Sequence, residues 1–379
     1  MKEVKAPMVH PAKVLPLPGA LCAAVLYLLL PAPQISAADV TVHTTVRVSG
    51  QRIDYMVVDT GTPLPDPLPS PDDFTLEGEA YNWMDPTLHS FTAEISDVSA
   101  DGSSLVLGFE EFPEKYFFVD HFSVTCKGDP SLSFSSGDVT RVVTPVADEF
   151  RHVDDDAHDF HYEMFTPEDA DQPCPAVIVF HGFGDYDNLL TYRTSVEWAE
   201  PEQQKVRPCH VISPIIRDYM QTDVRDNVYD CLKELLDGLI RENAVDPARI
   251  YVTGNSFGGA AALEFAERFP HFAAGVIAMC PALNYTGRAV DSLETLADTP
   301  VWFAHAEHDA VVPAWASQEA YDTLKKAGNP DVHLTVYTDE EMNAAGADPS
   351  PEATVSYHHV EAAVMPDDAY KEWLFSHGT

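Results

Sequence analysis

Hydrophobic residues follow two different periods along the chain, and the change falls near residue 150. From residue 39 to about 150, runs such as DVTVHTTVRV and SSLVLGF alternate apolar and polar positions between clusters of Pro, Asp, Ser and Gly. This period of two predicts short β-strands. Their number and spacing favour a small antiparallel β-sandwich over residues 39–150.

Beyond residue 150, continuous apolar runs alternate with amphipathic segments. The apolar runs include AVIVF, RIYVTG, GVIAMC and VWFAHA, and the segment VRDNVYDCLKELLDGLIREN has a helical period. Uninterrupted apolar strands separated by helices are typical of a mostly parallel sheet with helices on both faces. The sequence therefore predicts an α/β domain over residues 151–379, preceded by the all-β domain.

Residues 1–38 have the features of an export signal. Lys2, Lys5 and Lys13 precede the apolar run GALCAAVLYLLL, and the small residues SAA end the segment. A run of this length suits a signal peptide and is short for a membrane span. We therefore expect a secreted or cell-surface protein, with an uncleaved N-terminal anchor as the alternative.

The composition is that of a globular protein, and the formal net charge of −39 is spread along the chain. Such a negative field repels nucleic acid and anionic lipid, so we expect no nucleic-acid partner and no membrane contact beyond export. Five cysteines follow residue 38, without zinc or redox spacing, and one or two disulfides could form. Cys280 ends an apolar run and is expected to be a small buried residue.

The segment TGNSFGGA joins a predicted strand to an alanine-rich helix and contains the pattern G-x-S-x-G around Ser256. A sharp strand-to-helix turn exposes the serine hydroxyl as a nucleophile, and the flanking glycines leave room for the strand and the helix to approach. The backbone N–H of Phe257 would then face the oxyanion that forms during attack. An ordinary Gly-rich turn is the alternative, but the flanking strand and helix are the context that the motif requires.

A serine nucleophile needs a base and an orienting carboxylate, in the chain order Ser, Asp or Glu, His. Asp309 follows the apolar run VWFAHA and is the preferred acid, with Glu307 and Asp298 as rivals. His358 and His359 precede the C-terminal helix and are the candidate bases. Adjacent side chains in an extended loop point in opposite directions, so one of the two should face the serine.

Three other histidines and one loop complete the candidate site. The segment VIVFHGFGDYDN follows an early strand, and its glycines would let the backbone N–H of Phe183 act as the second oxyanion donor. His181 in this segment is expected to form structural hydrogen bonds, while His305 and His308 could border the pocket. A metal site is the competing interpretation, but no histidine spacing supports it, and we expect neither metal nor cofactor.

Taken together, residues 155–379 resemble the α/β-hydrolase esterases of the polyhydroxybutyrate depolymerase, feruloyl esterase and prolyl-oligopeptidase-like group. The segments that carry the resemblance, in chain order, are PAVIVFHGFGD, EWAEPEQQKVRPCHVISP, VDPARIYVTGNSFGG, VWFAHAEHDAVVP and KEWLFSH. Residues 39 to about 150 are similar, in strand pattern and position, to the Ig-like domain that precedes some secreted esterases of this group.

The resemblance implies a secreted serine carboxylesterase that acts on a small-molecule or polymeric ester. It assigns Ser256, Asp309 and one of the paired histidines to the catalytic triad. It also assigns the backbone N–H groups of Phe183 and Phe257 to the oxyanion hole.

The chain departs from this group after the base, where a single His is usually followed three residues later by Trp. Here Glu361 follows His358 at that distance, and Ala362 follows His359. The distance to Trp373 favours His358. Two other functions stay open: a prolyl-oligopeptidase-like peptidase, although no propeller-sized region precedes the catalytic part, and a non-enzymatic exported binding protein on a hydrolase scaffold.

Overall fold

The structure is a computed structural model, and it describes residues 39–48, 50–82, 85–168, 172–184, 186, 188–286, 292–347 and 356–378. The predicted export signal lies outside the described residues. Within them, no helix combines the length and the apolar character needed to cross a membrane.

The described part of residues 39–143 is built from short strands in two sheets. The strands are β1 Asp39–Arg47, β2 Gly50–Asp59, β3 Phe74–Asn82, β4 Asp85–Ala93, β5 Asp97–Asp101, β6 Ser104–Gly108, β7 Val119–Cys126, β8 Phe134–Ser135 and β9 Val139–Val143. One sheet has the order β5-β6-β2-β1-β9 and the other β4-β3-β7-β8. Alternate residues of both sheets, including Val42 and Leu76, belong to one hydrophobic cluster. The period of two therefore marked real strands, while the Ig-like assignment stays a prediction.

One pairing differs from the antiparallel arrangement that we expected. Strand β9 pairs with β1 in parallel at the edge of the five-stranded sheet. Parallel neighbours need a long connection between them, and strands β2 to β8 provide it here. The alternating pattern of single strands contains no information about this direction.

From Arg151 onward the strands form a single larger sheet. They are β10 Arg151–Asp155, β11 Phe160–Phe165, β12 Cys174–Phe180, β13 His210–Pro214, β14 Val245–Asn255, β15 Gly275–Met279, β16 Val301–Ala306 and β17 Val332–Tyr337. Their order is β10-β11-β13-β12-β14-β15-β16-β17. Strand β11 is antiparallel to both of its neighbours, and the pairs from β13 to β17 are parallel. The predicted mostly parallel sheet is confirmed.

Helices cover both faces of this sheet. They are α1 Arg193–Val196, α2 Pro201–Val206, α3 Thr222–Arg241, α4 Phe257–Arg268, α5 Leu283–Thr286, α6 Trp315–Ala327, α7 Asp339–Ala344, α8 Glu361–Val364 and α9 Asp368–Phe375. Neighbouring residues of β12 point to opposite faces. Ile178 packs in the hydrophobic cluster that contains α3 and α4, and Val177 packs in the cluster that contains Trp198 and α9. Apolar residues on both faces explain why the strands read as uninterrupted apolar runs.

The cysteines decide a possibility that the sequence left open. The five described cysteines are all free, so the one or two disulfides that the sequence allowed are not formed. Four of them are buried, and Cys280 is fully buried as predicted. Burial raises the pKa of the Cys209 thiol to about 12, which keeps it neutral.

The two smaller sheets, which are strands β1–β9 with their connecting loops (residues 39–143), pack against the segment that carries α1. Arg193 donates from Nη1 to the carbonyl oxygen of Val46 at 3.2 Å. The ring of Phe117 lies 5.8 Å from the ring of Tyr192. These contacts bring the smaller sheets to the edge of the candidate site. The division into two domains at residue 150 stays a prediction.

Candidate active site

Ser256 is the entire connection between strand β14 and helix α4. Its φ of 57° and ψ of −121° lie in a region that strains a residue with a side chain. Hydrogen bonds hold this conformation: the Ser256 N–H donates to the carbonyl of Met279 at 2.9 Å, and the Ser256 carbonyl accepts from the N–H groups of Ala260 and Ala282. The geometry is the strained turn that the G-x-S-x-G pattern predicts.

The two glycines of the pattern are required by close backbone contacts. A Cβ atom on Gly254 would lie 2.4 Å from the carbonyl oxygen of Gly258, and one on Gly258 would lie 2.1 Å from the carbonyl oxygen of Phe180. Both contacts are with backbone atoms, which cannot move without displacing a strand or the helix. The prediction that these glycines let strand and helix approach is confirmed.

Ser256, His358 and Asp309 form one chain of hydrogen bonds. The Ser256 Oγ lies 2.8 Å from His358 Nε2, and His358 Nδ1 lies 2.7 Å from Asp309 Oδ2. Since an ionised carboxylate only accepts, Nδ1 carries the hydrogen and Nε2 is left to accept from the serine hydroxyl. The other carboxylate oxygen accepts from the N–H groups of Val311 at 2.7 Å and Val312 at 2.9 Å.

The Asp309 side chain is completely buried, yet its surroundings favour the charged form. Burial alone would raise the pKa of Asp309, but hydrogen bonds from His305 and His358 outweigh it and hold this pKa well below its ordinary value. His305 Nε2 lies 3.3 Å from Asp309 Oδ2. The carboxylate is therefore ionised and fixed, so it can stabilise a positive charge on His358.

The rival residues for the acid and the base lie elsewhere. His359 Nδ1 pairs with Glu361 Oε1 at 2.9 Å rather than with the serine. Glu307 and Asp298 are exposed, whereas Asp309 bonds His358 directly. The structure therefore brings His358 to Ser256 and places His359 beside it in a separate pair with Glu361.

Of the other histidines, one fits its expected place and two do not. His181 is buried, donates from Nδ1 to the Gly182 carbonyl at 2.7 Å and accepts at Nε2 from the Ile216 N–H at 3.0 Å. Its structural role is confirmed, and burial lowers its pKa to about 4. His305 and His308 do not border the cavity: His305 is buried behind the acid, and His308 is exposed and pairs with a surface carboxylate.

A cavity of about 330 Å³ is lined by Ser256 and His358. Its wall is mostly apolar, and the ring of Phe257 lies 5.4 Å from that of Phe183 and 5.8 Å from that of Tyr285. A concave apolar wall with a few polar groups is the usual form of a small-molecule site. This cavity can hold an apolar acyl or alcohol group next to the serine hydroxyl.

Both predicted oxyanion donors line the same cavity. Phe257 is the first residue of α4, where a backbone N–H has no partner inside the helix and the helix dipole favours negative charge. Phe183 lies in the loop after β12, next to Gly184, whose φ is 82°. The placement of both residues is compatible with the two-donor hypothesis.

Two polar residues that line the cavity, Glu361 and Lys115, were not predicted from the sequence to belong to the site. Glu361 is buried beside His359, and this neighbour holds the pKa of Glu361 below its ordinary value although burial opposes this. Its position three residues after His358 was the available signal. Lys115 reaches the cavity from the smaller sheets, and no local pattern around it points to the site.

The donor set at the centre suits a proton relay better than a metal. Single ligand atoms of Cys280, Asp309 and His358 lie within 4.8 Å of one another. Burial raises the pKa of the Cys280 thiol well above its ordinary value, so it stays protonated and is a poor ligand. The thiol donates instead to the carbonyl of His358 at 3.2 Å.

The mostly parallel eight-stranded sheet, with a strained serine between β14 and α4, defines an α/β-hydrolase fold. Residues 161–345, slightly less than half of the chain, match the Phospholipase/Carboxylesterase family. This match supports ester hydrolysis as the class of reaction. No curated protein matches the chain in sequence.

Several solved esterases are similar in structure. A thermostable esterase matches 90% of this chain and 100% of its own length, with 23% sequence identity and a TM-score of 0.68. Est1E from Butyrivibrio proteoclasticus matches 60% of this chain and 98% of its own length, with 17% identity and a TM-score of 0.44. The match to the thermostable esterase covers 90% of this chain, which is more than the eight-stranded sheet and its helices. The similarity in fold therefore extends to the smaller sheets.

Proposed function

We propose that the protein is a secreted serine carboxylesterase that forms an acyl-enzyme on Ser256. The observation that carries this proposal is the relay at the cavity wall, where Ser256 Oγ lies 2.8 Å from His358 Nε2 and His358 Nδ1 lies 2.7 Å from Asp309 Oδ2. These are the distances that let an imidazole take a hydroxyl proton during attack.

In the acylation step, Ser256 Oγ attacks the carbonyl carbon of the ester while His358 Nε2 accepts the hydroxyl proton. The backbone N–H groups of Phe257 and Phe183 stabilise the negative charge on the carbonyl oxygen. The ionised carboxylate of Asp309 stabilises the imidazolium and keeps its proton on Nδ1. The intermediate collapses when Nε2–H protonates the leaving alcohol, and the acyl group stays on the serine.

Deacylation repeats the same steps with water as the nucleophile. His358 Nε2 takes a proton from the water molecule, the tetrahedral intermediate forms in the same oxyanion hole, and the proton returns to Ser256 as the carboxylic acid leaves. The residues of the chain supply every proton transfer and the charge stabilisation, so the proposed mechanism needs no cofactor.

The proposal is tested with Ser256→Ala, an activity-based fluorophosphonate label and a 4-nitrophenyl ester. We expect labelling to disappear and kcat/KM to fall at least about a thousand-fold, because loss of the nucleophile leaves only binding and the oxyanion hole. Ser99→Ala, at an exposed serine of strand β5, is the matched control and should keep both signals. Unchanged ester turnover in Ser256→Ala would end the proposal.

A matched pair of substrates separates esterase from peptidase activity. A 4-nitrophenyl ester and the 4-nitroanilide of the same acyl group differ only in the scissile bond. We expect turnover of the ester and little turnover of the anilide. Preference for a proline anilide would favour the peptidase, and neither turnover nor labelling of the unaltered protein would favour a binding protein.

We also propose that the protein is exported, on the basis of the lysines and the apolar run within residues 1–38. Export with cleavage after Ala38 predicts that the mature protein begins at Asp39. Intact-mass measurement of the protein recovered outside the producing cell tests this, and a mass that includes residues 1–38 would indicate an uncleaved anchor.

A further inference from the structure

We propose that Lys115 makes the active-site cavity selective for esters that carry a negatively charged group, such as a carboxylate, remote from the scissile bond. This inference rests on the proposed function and adds the class of substrate. It also gives the smaller sheets a direct role in catalytic specificity, because Lys115 lies between strands β6 and β7.

Lys115 lines the same cavity as Ser256 and His358. Its ammonium group lies 5.5 Å from the ring centroid of Tyr192 and 5.9 Å from that of Phe118. Both distances fall within the range of cation–π attraction. Two aromatic rings, one from each side of the boundary between the smaller sheets and the eight-stranded sheet, therefore hold the ammonium at the cavity.

The rest of the Lys115 side chain is also held in place. A Cβ atom on Gly50 would lie 2.9 Å from Lys115 Cδ, which shows that the aliphatic stem lies directly on the backbone of strand β2. Lys115 is half-buried, unlike a solvated surface lysine. Holding the stem before substrate binds reduces the entropy that the side chain would lose on contact with an anion.

Lys115 brings a positive charge to the wall of the cavity. Among the described residues that line the cavity, it is the one Lys or Arg. The chain as a whole carries a formal net charge of −39, which repels anions in general. A neutral ester gains nothing from an ammonium group here, whereas an anionic ester gains a Coulomb attraction that the partly desolvated cavity strengthens.

The test compares Lys115→Met with the unaltered protein on two matched pairs of esters at pH 7.5. One pair, 4-nitrophenyl adipate and 4-nitrophenyl heptanoate, has or lacks a carboxylate at the end of the acyl chain. The other pair, 4-acetoxybenzenesulfonate and phenyl acetate, has or lacks a charge on the alcohol side. Methionine keeps the apolar stem against Gly50 and the rings, and it removes only the charge.

We expect the ratio of kcat/KM for the charged ester over its neutral partner to fall about ten-fold in Lys115→Met for one of the pairs, since a charge-assisted contact is worth this order. That pair identifies the side of the ester that faces the ammonium. In the unaltered protein, the same ratio should fall as the salt concentration rises. The ratio for the other pair should change little.

Lys127→Met is the matched control, because Lys127 lies in the smaller sheets and is exposed, with its ammonium donating to the carbonyl of Asp72. Equal losses in both variants would show steering by overall charge and overturn the proposal. Unchanged ratios for both pairs in Lys115→Met would also overturn it. Neutral esters still hydrolysed through Ser256 would leave the proposed function intact in either case.

Discussion

His305 and Asp309 touch each other inside the protein, with His305 Nε2 3.3 Å from Asp309 Oδ2 and both side chains fully buried. The same Nε2 lies 2.8 Å from the carbonyl of Val312, and Nδ1 lies 2.7 Å from the hydroxyl of Ser317. Nε2 faces two acceptors and therefore carries the hydrogen. His305 and His358 thus both contact Asp309 Oδ2, and His358 is the one of the two that lines the cavity.

We predict that His305→Phe lowers kcat by about ten- to a hundred-fold and changes KM little. Phenylalanine keeps most of the ring volume but cannot donate to Asp309, so the carboxylate loses the contact that fixes its position relative to His358. Steady-state kinetics on a 4-nitrophenyl ester measure the effect. His305→Gln should restore part of kcat because its amide can donate, and His308→Phe, at an exposed neighbour, should retain full activity. A His305→Phe variant with unchanged kcat would contradict a positioning role.

The adjacent histidines provide a sharp comparison. We predict that His358→Ala lowers kcat/KM at least about a thousand-fold, whereas His359→Ala stays within about ten-fold of the unaltered protein. The reason is that His358 Nε2 lies 2.8 Å from Ser256 Oγ, while His359 pairs with Glu361. The two variants share the same loop, so each is the folding control of the other. Comparable losses in both would require the two imidazoles to act together.

The sequence was most informative where a local pattern decides the geometry. The G-x-S-x-G pattern placed Ser256 on a strained turn because a strand, a helix and two glycines lie within a dozen residues of one another. The uninterrupted apolar runs predicted a parallel sheet because both faces of each strand are covered. The order of acid and base along the chain limited the remaining choice to a few residues.

The sequence was less informative where contacts join distant parts of the chain. It favoured His358 over His359 only through the distance to Trp373 and left both as candidate bases, because the choice depends on the direction of one loop in space. It allowed His305 to border the pocket, but in the structure this side chain is buried and its Nδ1 contacts the hydroxyl of Ser317. It missed Lys115, which approaches the cavity through the packing of separate sheets.

The tight packing at the serine turn leads to a prediction for Gly258→Ala. The new methyl group would lie 2.1 Å from the carbonyl oxygen of Phe180, so helix α4 must move away from strand β12. We expect the free energy of unfolding to fall by about 1–3 kcal/mol or more and turnover to be lost, because Ser256 moves with the helix. Denaturant unfolding and ester kinetics measure the two effects. Gly128→Ala is the control, since its methyl group would meet no atom within 4 Å.

A buried ion pair joins helices α3 and α4 on one face of the eight-stranded sheet. Arg225 Nε on α3 donates to Glu264 Oε2 on α4 at 2.9 Å, and Tyr229 donates to the same oxygen at 3.0 Å. We predict that Arg225→Met lowers the free energy of unfolding by about 3–5 kcal/mol, because it leaves a carboxylate buried without its cation. Chemical denaturation measures the loss.

The double variant Arg225→Met with Glu264→Gln is the matched comparison. It should recover part of the stability that Arg225→Met loses, since the remaining buried groups are neutral. Equal stability of the single and double variants would show that the charge of Glu264 is tolerated without its partner.

The pH dependence of stability tests the burial of His181. Burial lowers the pKa of His181 from its ordinary value of 6.5 to about 4. Between these values the unfolded chain binds a proton that the folded protein does not bind, so the free energy of unfolding must fall as the pH falls from about 6.5 to 4. The contribution of this group is about 3 kcal/mol over that window.

We therefore predict that His181→Gln, whose side chain keeps a donor and an acceptor, loses less free energy of unfolding than the unaltered protein when the pH falls. Denaturant unfolding at pH 7, 6, 5 and 4 measures this difference. His308→Gln is the comparison variant, and it should change the pH dependence of the free energy of unfolding in the opposite direction. Hydrogen bonding to Asp339 raises the pKa of the exposed His308, so this group stabilises the folded state at acid pH, and its removal should steepen the loss. If His181→Gln keeps the full acid loss, His181 is accessible to protons in the folded state and the buried hydrogen bonds to Gly182 and Ile216 do not persist in solution.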